Sequence, residues 1–497
     1  MATTKDALLK MIPAVDVLLH DEGLARWGGG LALRGGGLAL RGGGLALRGG
    51  GVPRRVVVDA VRTAADDMRQ AILTGATAEG TEASLRKEIL SRARERAQAM
   101  MQAHYRRAIN ATGIILHTGL GRAVLAKAAL DQIANELSGY SVLQLGVETG
   151  KRSRRDERIE WLLQQLTGCE AATVVNNNAA ATALVLNTVG KGREVIVSRG
   201  QLVEIGGSFR LPDVMEAAGV RLVEVGTTNK THARDYERAI GENTAALLRV
   251  HPSNYKVMGF SAEVPLKELV AIAHAHGLPL IDDVGAGALL DFGRFGFHDQ
   301  ERLEDSVRAG SDVVLSSADK LIGSSQGGII LGSAKWIAAI RKNPLARVVR
   351  VGKLTLAALE ATLSLFLDEE VALREVPTLR MLARSLDDVG AQAERIAEAI
   401  RRAAPGTEVT VEDGASQMGS GSLPTEDIAT KLVAISSPAL DAEALAARLR
   451  LSSPPIFARI QKDRVLLDPR TLLDGEEELL VQAFVAALVT ILKKPQA

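Results

Sequence analysis

The sequence predicts an α/β fold: a large domain built on a mainly parallel sheet, preceded by a helical N-terminal domain and followed by a small α/β C-terminal domain. Two observations carry that prediction. Beyond Ile109, short apolar runs ending in Gly, Asn or Asp alternate with helix-period segments, at residues 172–175, 194–197, 221–225, 245–248 and 278–281. Strands separated by helices are joined by crossovers, which makes the sheet parallel and puts helices on both of its faces. Before Ile109 the pattern is helical, apart from one low-complexity stretch.

Residues 1 to about 27 form a helical pattern broken at Ile12-Pro13, with Val15, Leu18 and Leu19 on the apolar face. Gly28-Gly29-Gly30-Leu31-Ala32-Leu33-Arg34 then recurs unchanged at 35–41 and 42–48 and ends in Gly49-Gly50-Gly51. A seven-residue period suggests a coiled coil, but three glycines per unit, each about 1 kcal/mol worse than alanine in a helix, argue against one. The stretch reads as a flexible low-complexity insertion at 28–51 without chemistry. A helix is expected from Arg54 to about Thr74 and a second, basic one from about Thr81 to Ala108. The expected domains are 1–75 (helical), 76–108 (basic linker helix), 109–350 (large α/β domain) and 351–497 (small domain). In the last, helices are expected at 355–368, 377–402, 441–451 and 476–493, and strands at 407–411, 429–435 and 463–467.

The 497 residues suffice for two to four domains and a large core, and 46% apolar with 24% charged residues is the balance of a soluble globular protein. No apolar run reaches the roughly 18 residues of a membrane span. Lys5, Asp6 and Lys10 leave the N-terminus unlike a signal peptide, so a cytoplasmic location is expected. Cys169 is the only cysteine, which excludes an intrachain disulfide and a cysteine-based zinc site; it is expected to be a small buried residue. The eight histidines lack ligand spacing, and no metal is expected. The net charge is only +1, but residues 84–108 carry seven basic residues (Arg86, Lys87, Arg92, Arg94, Arg96, Arg106, Arg107) against Glu88 and Glu95. Residues 341–353 carry five (Arg341, Lys342, Arg347, Arg350, Lys353) and no acid. Such runs are either solvated faces or the footprint of a polyanion.

Ligands in open parallel sheets bind at the carboxyl ends of the strands, so the residues after each run carry the candidate chemistry. After Val175 comes Asn176-Asn177-Asn178-Ala179, a polar turn opening a helix, where backbone N–H groups and the helix dipole suit a phosphate or an ordinary N-cap. After Ile281 come Asp282 and Asp283, an acidic pair that can cap a helix or keep a pyridine nitrogen protonated. Lys320 lies between the apolar run 313–315 and a second at 328–331, flanked by Ser316, Ser317, Ser324 and Ser325. A lysine in a mostly apolar pocket has its pKa lowered by desolvation and can hold an aldehyde cofactor as a Schiff base. Phosphate turn, acid and lysine follow the chain order of aspartate-aminotransferase-like (fold type I) pyridoxal-phosphate enzymes.

Longer stretches carry a more specific likeness. Residues 109–122, ending in His117-Thr118-Gly119-Leu120-Gly121-Arg122, resemble the bacterial selenocysteine synthase (L-seryl-tRNA(Sec) selenium transferase) family. So do residues 175–181, 198–209, 224–229 with Thr227-Thr228, 251–260, the lysine stretch, 353–360, 419–424 and Leu467-Asp468-Pro469-Arg470-Thr471-Leu472. The resemblance spans nearly the whole chain apart from the glycine-rich repeat. It implies a pyridoxal 5'-phosphate enzyme that replaces the hydroxyl of serine, attached to tRNA(Sec), with selenium from selenophosphate.

By the same resemblance Lys320 holds the cofactor and acts as base at Cα, and Asp283, matching the family's Asp-Leu-Gly-Ser-Gly run, partners the ring nitrogen in preference to Asp282. Arg122, Arg347, Thr227, Thr228 and Asp319 would surround the selenium-donor pocket, with Asp319 a catalytic candidate. Two guanidinium forks and two hydroxyls make a sound oxyanion clamp. The resemblance further implies tRNA binding by the N-terminal domain and basic linker, and a homo-oligomer, usually a decamer built as a pentamer of dimers. The chain departs from the family's usual residues at Gly146, Pro252, Ala318, Ser324 and Ser325. Two other readings are a related lyase acting on a small amino acid or amino-sugar phosphate, and a tRNA-binding scaffold without catalysis. The N-terminal domain speaks against the former, and the retained Lys320, Asp283 and asparagine turn against the latter.

Overall fold

A computed structural model describes residues 5–21, 52–77, 79–206, 209–252, 255–257 and 259–492; the glycine-rich repeat at 28–51 lies outside them. The described residues form two compact units. One comprises those within Met1–Ala108 together with Leu451–Pro455, the other those within Ile109–Arg450 and Ile456–Ala497.

The first unit contains helices Lys5–Lys10, Val15–Leu19, Arg54–Thr74 and Glu82–Met101. Along Arg54–Thr74 the buried positions Val57, Val61, Ala64, Met68 and Ile72 recur every three to four residues, and they meet Leu85, Ile89 and Ala93 of the next helix in one apolar core. Thr81 caps that helix reciprocally with Ser84: Ser84 N–H donates to the Thr81 hydroxyl at 3.2 Å and Thr81 N–H to the Ser84 hydroxyl at 2.9 Å. The helix ends at Met101, not at Ala108 as the sequence suggested. Its buried series stops at Ala97 and Met100 is exposed, so a further turn would bury nothing. Most of its cations are paired internally, Arg86 and Arg94 with Asp21, Arg92 with Glu88 and Arg96 with Asp67. Exposed pairs of this kind contribute at most about 1 kcal/mol and exchange readily.

The second unit holds two main sheets. Its strands are β1 Ile109–Ala111, β2 Ala171–Val175, β3 Glu194–Ser198, β4 Glu204–Ile205, β5 Phe209–Arg210, β6 Arg221–Val225, β7 Thr244–Val250, β8 Leu280–Gly285, β9 Val313–Ser317, β10 Gly328–Gly332, β11 Glu408–Gly419, β12 Ser422–Ser436, β13 Ile456–Gln461 and β14 Arg464–Leu467. The seven-stranded sheet has the order β2-β10-β9-β8-β7-β3-β6 and is parallel except for β10, which runs antiparallel to both its neighbours. Strands β2, β7, β9 and β10 are buried along their length, as a sheet covered on both faces requires. Strand β8 starts at Leu280, two residues later than the apolar run suggested, and continues through both aspartates to Gly285. A strand can carry two buried carboxylates because each finds its own side-chain partners, described below.

The second sheet, β1-β13-β14-β12-β11, has its own apolar core around Ile109, Ile396, Ile400, Val433, Val465 and Phe484. Strands β1 and β13, the helix Glu369–Glu375 and the break between helices Pro377–Ala383 and Leu386–Ala403 were not expected. The break has a local cause: the Ser385 hydroxyl accepts from Asp388 N–H at 3.1 Å, starting a new helix, while Arg384 donates to the Pro469 carbonyl at 2.7 Å. Strand β1 pairs in parallel with β13, so the 109–122 segment leaves from the second sheet. Gly113, at φ +73°, lets it turn there, since a Cβ would lie 1.9 Å from an Asp468 carboxylate oxygen. Asp468 is fully buried and accepts from Ser416 at 2.7 Å, Thr430 at 2.9 Å and Arg459 at 3.2 Å. Cys169 is buried, and burial pushes its thiol pKa up.

Candidate active site

Lys320 follows β9 and is only 6% exposed. The loop that presents it is closed by backbone hydrogen bonds from Ala318 N to Gly327 O, Ser324 N to Ala318 O and Gly323 N to Lys320 O, each 2.9 Å. Burial lowers the Lys320 pKa; the Arg122 cation lowers it further, while Asp319 and Asp283 pull the other way. Ala318, one of the departures from the family pattern, is fully buried in the core beside Leu321 and Ile322.

Asp283 and Asp282 are adjacent on β8 and therefore face opposite sides of the sheet. The Asp283 carboxylate accepts from Asn178 Nδ2 and Thr182 Oγ1, both at 2.9 Å, and from Gly285 N–H at 3.1 Å. Burial raises its pKa, and these donors together with the Lys320 charge oppose the rise. Asp282, fully buried, pairs with Arg249 at 3.0 Å, and Arg249 is also bonded to Glu301. Burial pushes Asp282 up and Arg249 opposes it. Asp283 thus belongs to the lysine's surroundings and Asp282 to a buried ion-pair cluster.

The 176–179 turn sits at the carboxyl end of β2. Asn177 caps the helix Asn178–Gly190 by accepting from Ala180 N–H at 2.8 Å, and Asn176 N–H donates to Val349 O at 3.0 Å. The N–H groups of Asn178 and Ala179 lie in the first helical turn, whose donors the helix cannot bond internally. Asn178 has one side-chain atom on Asp283, while its buried Oδ1 has no partner among the described residues. Gly328 opens β10 beneath this turn, where a Cβ would come within 2.2 Å of the Asn177 carbonyl. A phosphate-bearing pyridine cofactor fits this set: unbonded N–H groups at a helix start, a buried carboxylate for a ring nitrogen, an unsatisfied amide oxygen and a desolvated amine.

Of the five residues expected around the donor, the structure joins two. Arg122 donates to the Asp319 carboxylate at 2.7 Å. Arg122 itself has φ +63°, a left-handed conformation that costs a non-glycine residue energy and is held by its N–H bond to His117 O at 3.0 Å. Arg347 is exposed on the short helix Leu345–Val348, two residues before Val349, and its charge combines with that of Arg350 against Arg155. Arg155 and Arg350 were not singled out from sequence, although Arg350 lay in the basic run at 341–353. Arg341 of the same run turns inward to Asp156 at 3.1 Å and Glu160 at 3.0 Å, so it supports β2 and adds nothing to a surface footprint. Thr227 and Thr228 follow the edge strand β6, four places from β9. At about 4.8 Å per strand that is about 19 Å, so within one chain these hydroxyls do not reach the Arg122–Asp319 pair.

Residues 108–473 match the family described as L-seryl-tRNA selenium transferase. The chain belongs to that family. The L-seryl-tRNA(Sec) selenium transferase of Alkaliphilus metalliredigens is 46% identical over 434 residues, 87% of this chain and 92% of that protein. The one of Nitratidesulfovibrio vulgaris is 47% identical over 425 residues, covering 85% and 90%. The match to the Alkaliphilus oremlandii protein, 40% identical, covers 97% of this chain and 98% of the other, and so extends through the N-terminal helices. Among solved structures, D-glucosaminate-6-phosphate ammonia-lyase superposes with a TM-score of 0.53 over 78% of this chain and 97% of its own at 23% identity. That likeness shows the aspartate-aminotransferase-like, fold type I architecture. Membership of this family makes the chain a transferase of the pyridoxal-phosphate-dependent type.

Replacing Arg122 with glutamine removes a cation from beside Lys320 and leaves Asp319 unpaired. Both changes favour the ammonium, so the Lys320 pKa rises. The pH dependence of Lys320 reductive methylation, read by peptide mass spectrometry, is expected to move to higher pH. An unmoved profile would show that Arg122 has no electrostatic hold on the lysine.

Proposed function

We propose that this protein converts seryl-tRNA(Sec) to selenocysteinyl-tRNA(Sec), with pyridoxal phosphate held by Lys320 and selenophosphate as the selenium donor. The observation that carries the reading is the buried Lys320 amine between Asp283 on one side and the Arg122–Asp319 pair on the other, in a chain of this family. When bound, pyridoxal phosphate supplies an electron sink that lets the serine Cα–H ionise and the β-hydroxyl leave. The residues supply the rest. The 176–179 turn holds the phosphate, and Asp283 holds a proton on the ring nitrogen, itself oriented by Asn178 and Thr182. The Lys320 amine, its pKa lowered by burial and by Arg122, takes the proton at Cα. Arg122 and Asp319 receive the donor, whose phosphate the guanidinium binds as a fork, with Arg347 extending the positive surface.

Thr227 and Thr228 serve the donor only from a second copy of the chain, given their place on the far edge of the sheet. This supports a homo-oligomer, in line with the decamer of paired subunits that the family resemblance implies. The N-terminal helical unit binds the tRNA body, its exchangeable surface arginines turning from carboxylates to phosphates. No helix among the described residues is long and apolar enough to cross a membrane; the reaction belongs where charged tRNA is found, in the cytoplasm.

The test is incubation of the protein with pyridoxal phosphate, seryl-tRNA(Sec) and selenophosphate, with selenocysteine on the tRNA as the expected product, read by mass spectrometry after deacylation. Turnover of a free amino acid or amino-sugar phosphate, with no product on the tRNA, would replace this reading with the lyase alternative.

A further inference from the structure

A cavity of about 210 Å³ opens between the carboxyl ends of β7 and β8 and the β11–β12 hairpin, and none of the residues assigned above to cofactor or donor lines it. It adjoins the lysine site through His251, whose N–H donates to the Asp283 carbonyl at 2.9 Å. At this size, below the roughly 300–1,000 Å³ of pockets for drug-sized ligands, it suits a ligand no larger than a nucleoside.

Its walls define the chemistry. Arg249 is engaged by Asp282 and Glu301, and Lys256 pairs with Asp299 at 2.6 Å. Glu263 and Glu426 line the cavity without an ion-pair partner among the described residues, which leaves it negative and hostile to phosphate. The carboxylates accept hydrogen bonds from amino and hydroxyl groups. The rings of Tyr255 and His251 form apolar wall, and burial lowers the His251 pKa, which favours the neutral imidazole. An independent feature points to a ligand: Ser422 is 1% exposed and lines the cavity, and its hydroxyl has no hydrogen-bond partner among the described residues. Leaving such a group unsatisfied costs about 1–3 kcal/mol.

We propose that this cavity binds the 3'-terminal adenosine of the aminoacyl-tRNA, resting on the function proposed above. The serine to be converted is esterified to the ribose of that nucleoside, so the nucleoside lies one ester linkage from the carbon attacked beside Lys320. The base stacks on Tyr255 and His251, as unpaired ends of RNA stack on aromatic side chains. Its exocyclic amine and the free ribose hydroxyl donate to Glu263 and Glu426, and the Ser422 hydroxyl donates to a ring nitrogen. The negative walls keep the preceding phosphates outside, which fixes the direction in which the acceptor end enters.

Ser422→Ala and Glu426→Ala test this in the full-length, cofactor-loaded protein. Ser422→Ala removes only an unpartnered hydroxyl and should leave the fold intact. Each variant is expected to raise KM for seryl-tRNA(Sec) by about 10-fold, the scale of one lost hydrogen bond to a charged or buried group. Their kcat and KM for selenophosphate should stay within about twofold of the parent, well under the effect of one such bond. An unchanged KM for the tRNA, or an equal shift for selenophosphate, overturns the proposal. Equilibrium dialysis of labelled adenosine needs no turnover and separates this inference from the function it rests on. Adenosine retained by the parent and lost by Glu426→Ala supports the site; no binding by the parent overturns it, whatever the substrate proves to be.

Discussion

Lys320→Ala protein is expected to lose at least about 10²–10⁴-fold in turnover, the usual contribution of a positioned base, and to lose the borohydride-reducible yellow chromophore of the cofactor-loaded parent. The fold should survive. Lys320 is 6% exposed, burial already disfavours its charged form, and it forms no ion pair among the described residues, so its removal deletes none. A role in chemistry, as opposed to packing, is distinguished by adding small primary amines: they should restore part of the rate to Lys320→Ala and none to a variant that is merely misfolded. A colourless parent, or a Lys320→Ala protein that retains the reducible chromophore, would remove the lysine from the mechanism.

The second large effect is a double dissociation on β8. Asp283→Asn keeps the shape and much of the bonding to Asn178 and Thr182 but removes the negative charge from beside Lys320. Turnover should fall by at least about 10²-fold with little change in the urea midpoint. Asp282→Ala should do the reverse. It breaks a fully buried pair with Arg249, a kind of loss that costs about 3–5 kcal/mol, nearer 3 here because Glu301 remains on the same guanidinium. Activity per folded molecule should be largely kept. Equal losses of activity in the two variants would mean that the alternation of the strand does not separate the two roles.

Much of this site was legible in the sequence because its signals are local. The asparagine turn after β2, the acidic pair and the lysine after β9 each follow an apolar run, and strand ends are where a parallel sheet offers its ligand site. Local signals also placed the helix Arg54–Thr74 and the strand Arg221–Val225 at their observed bounds. What failed was whatever depends on a distant partner. The acids at 282 and 283 were expected at the strand end, after the apolar run closing at Ile281; buried carboxylates are costly, and Arg249, Asn178 and Thr182, far away in sequence, make them tolerable inside the strand. Arg341 looked like part of a basic surface, and only its approach to Asp156 and Glu160 shows it turned inward.

The sequence by itself determined the candidate residues for chemistry, their order along the chain and the class of fold that presents them. Composition, periodicity and strand-end motifs are properties of contiguous residues, and they do not change with packing. The tertiary structure decided which of those residues meet. It set Asp283 and not Asp282 beside Lys320, tied Arg122 to Asp319, and left Thr227 and Thr228 four strands away. It also brought the Ser422 hydroxyl, more than a hundred residues from Asp283, to a cavity beside it. The reason is that strand order and the facing of side chains are fixed by long-range pairing and burial, which no window of sequence contains.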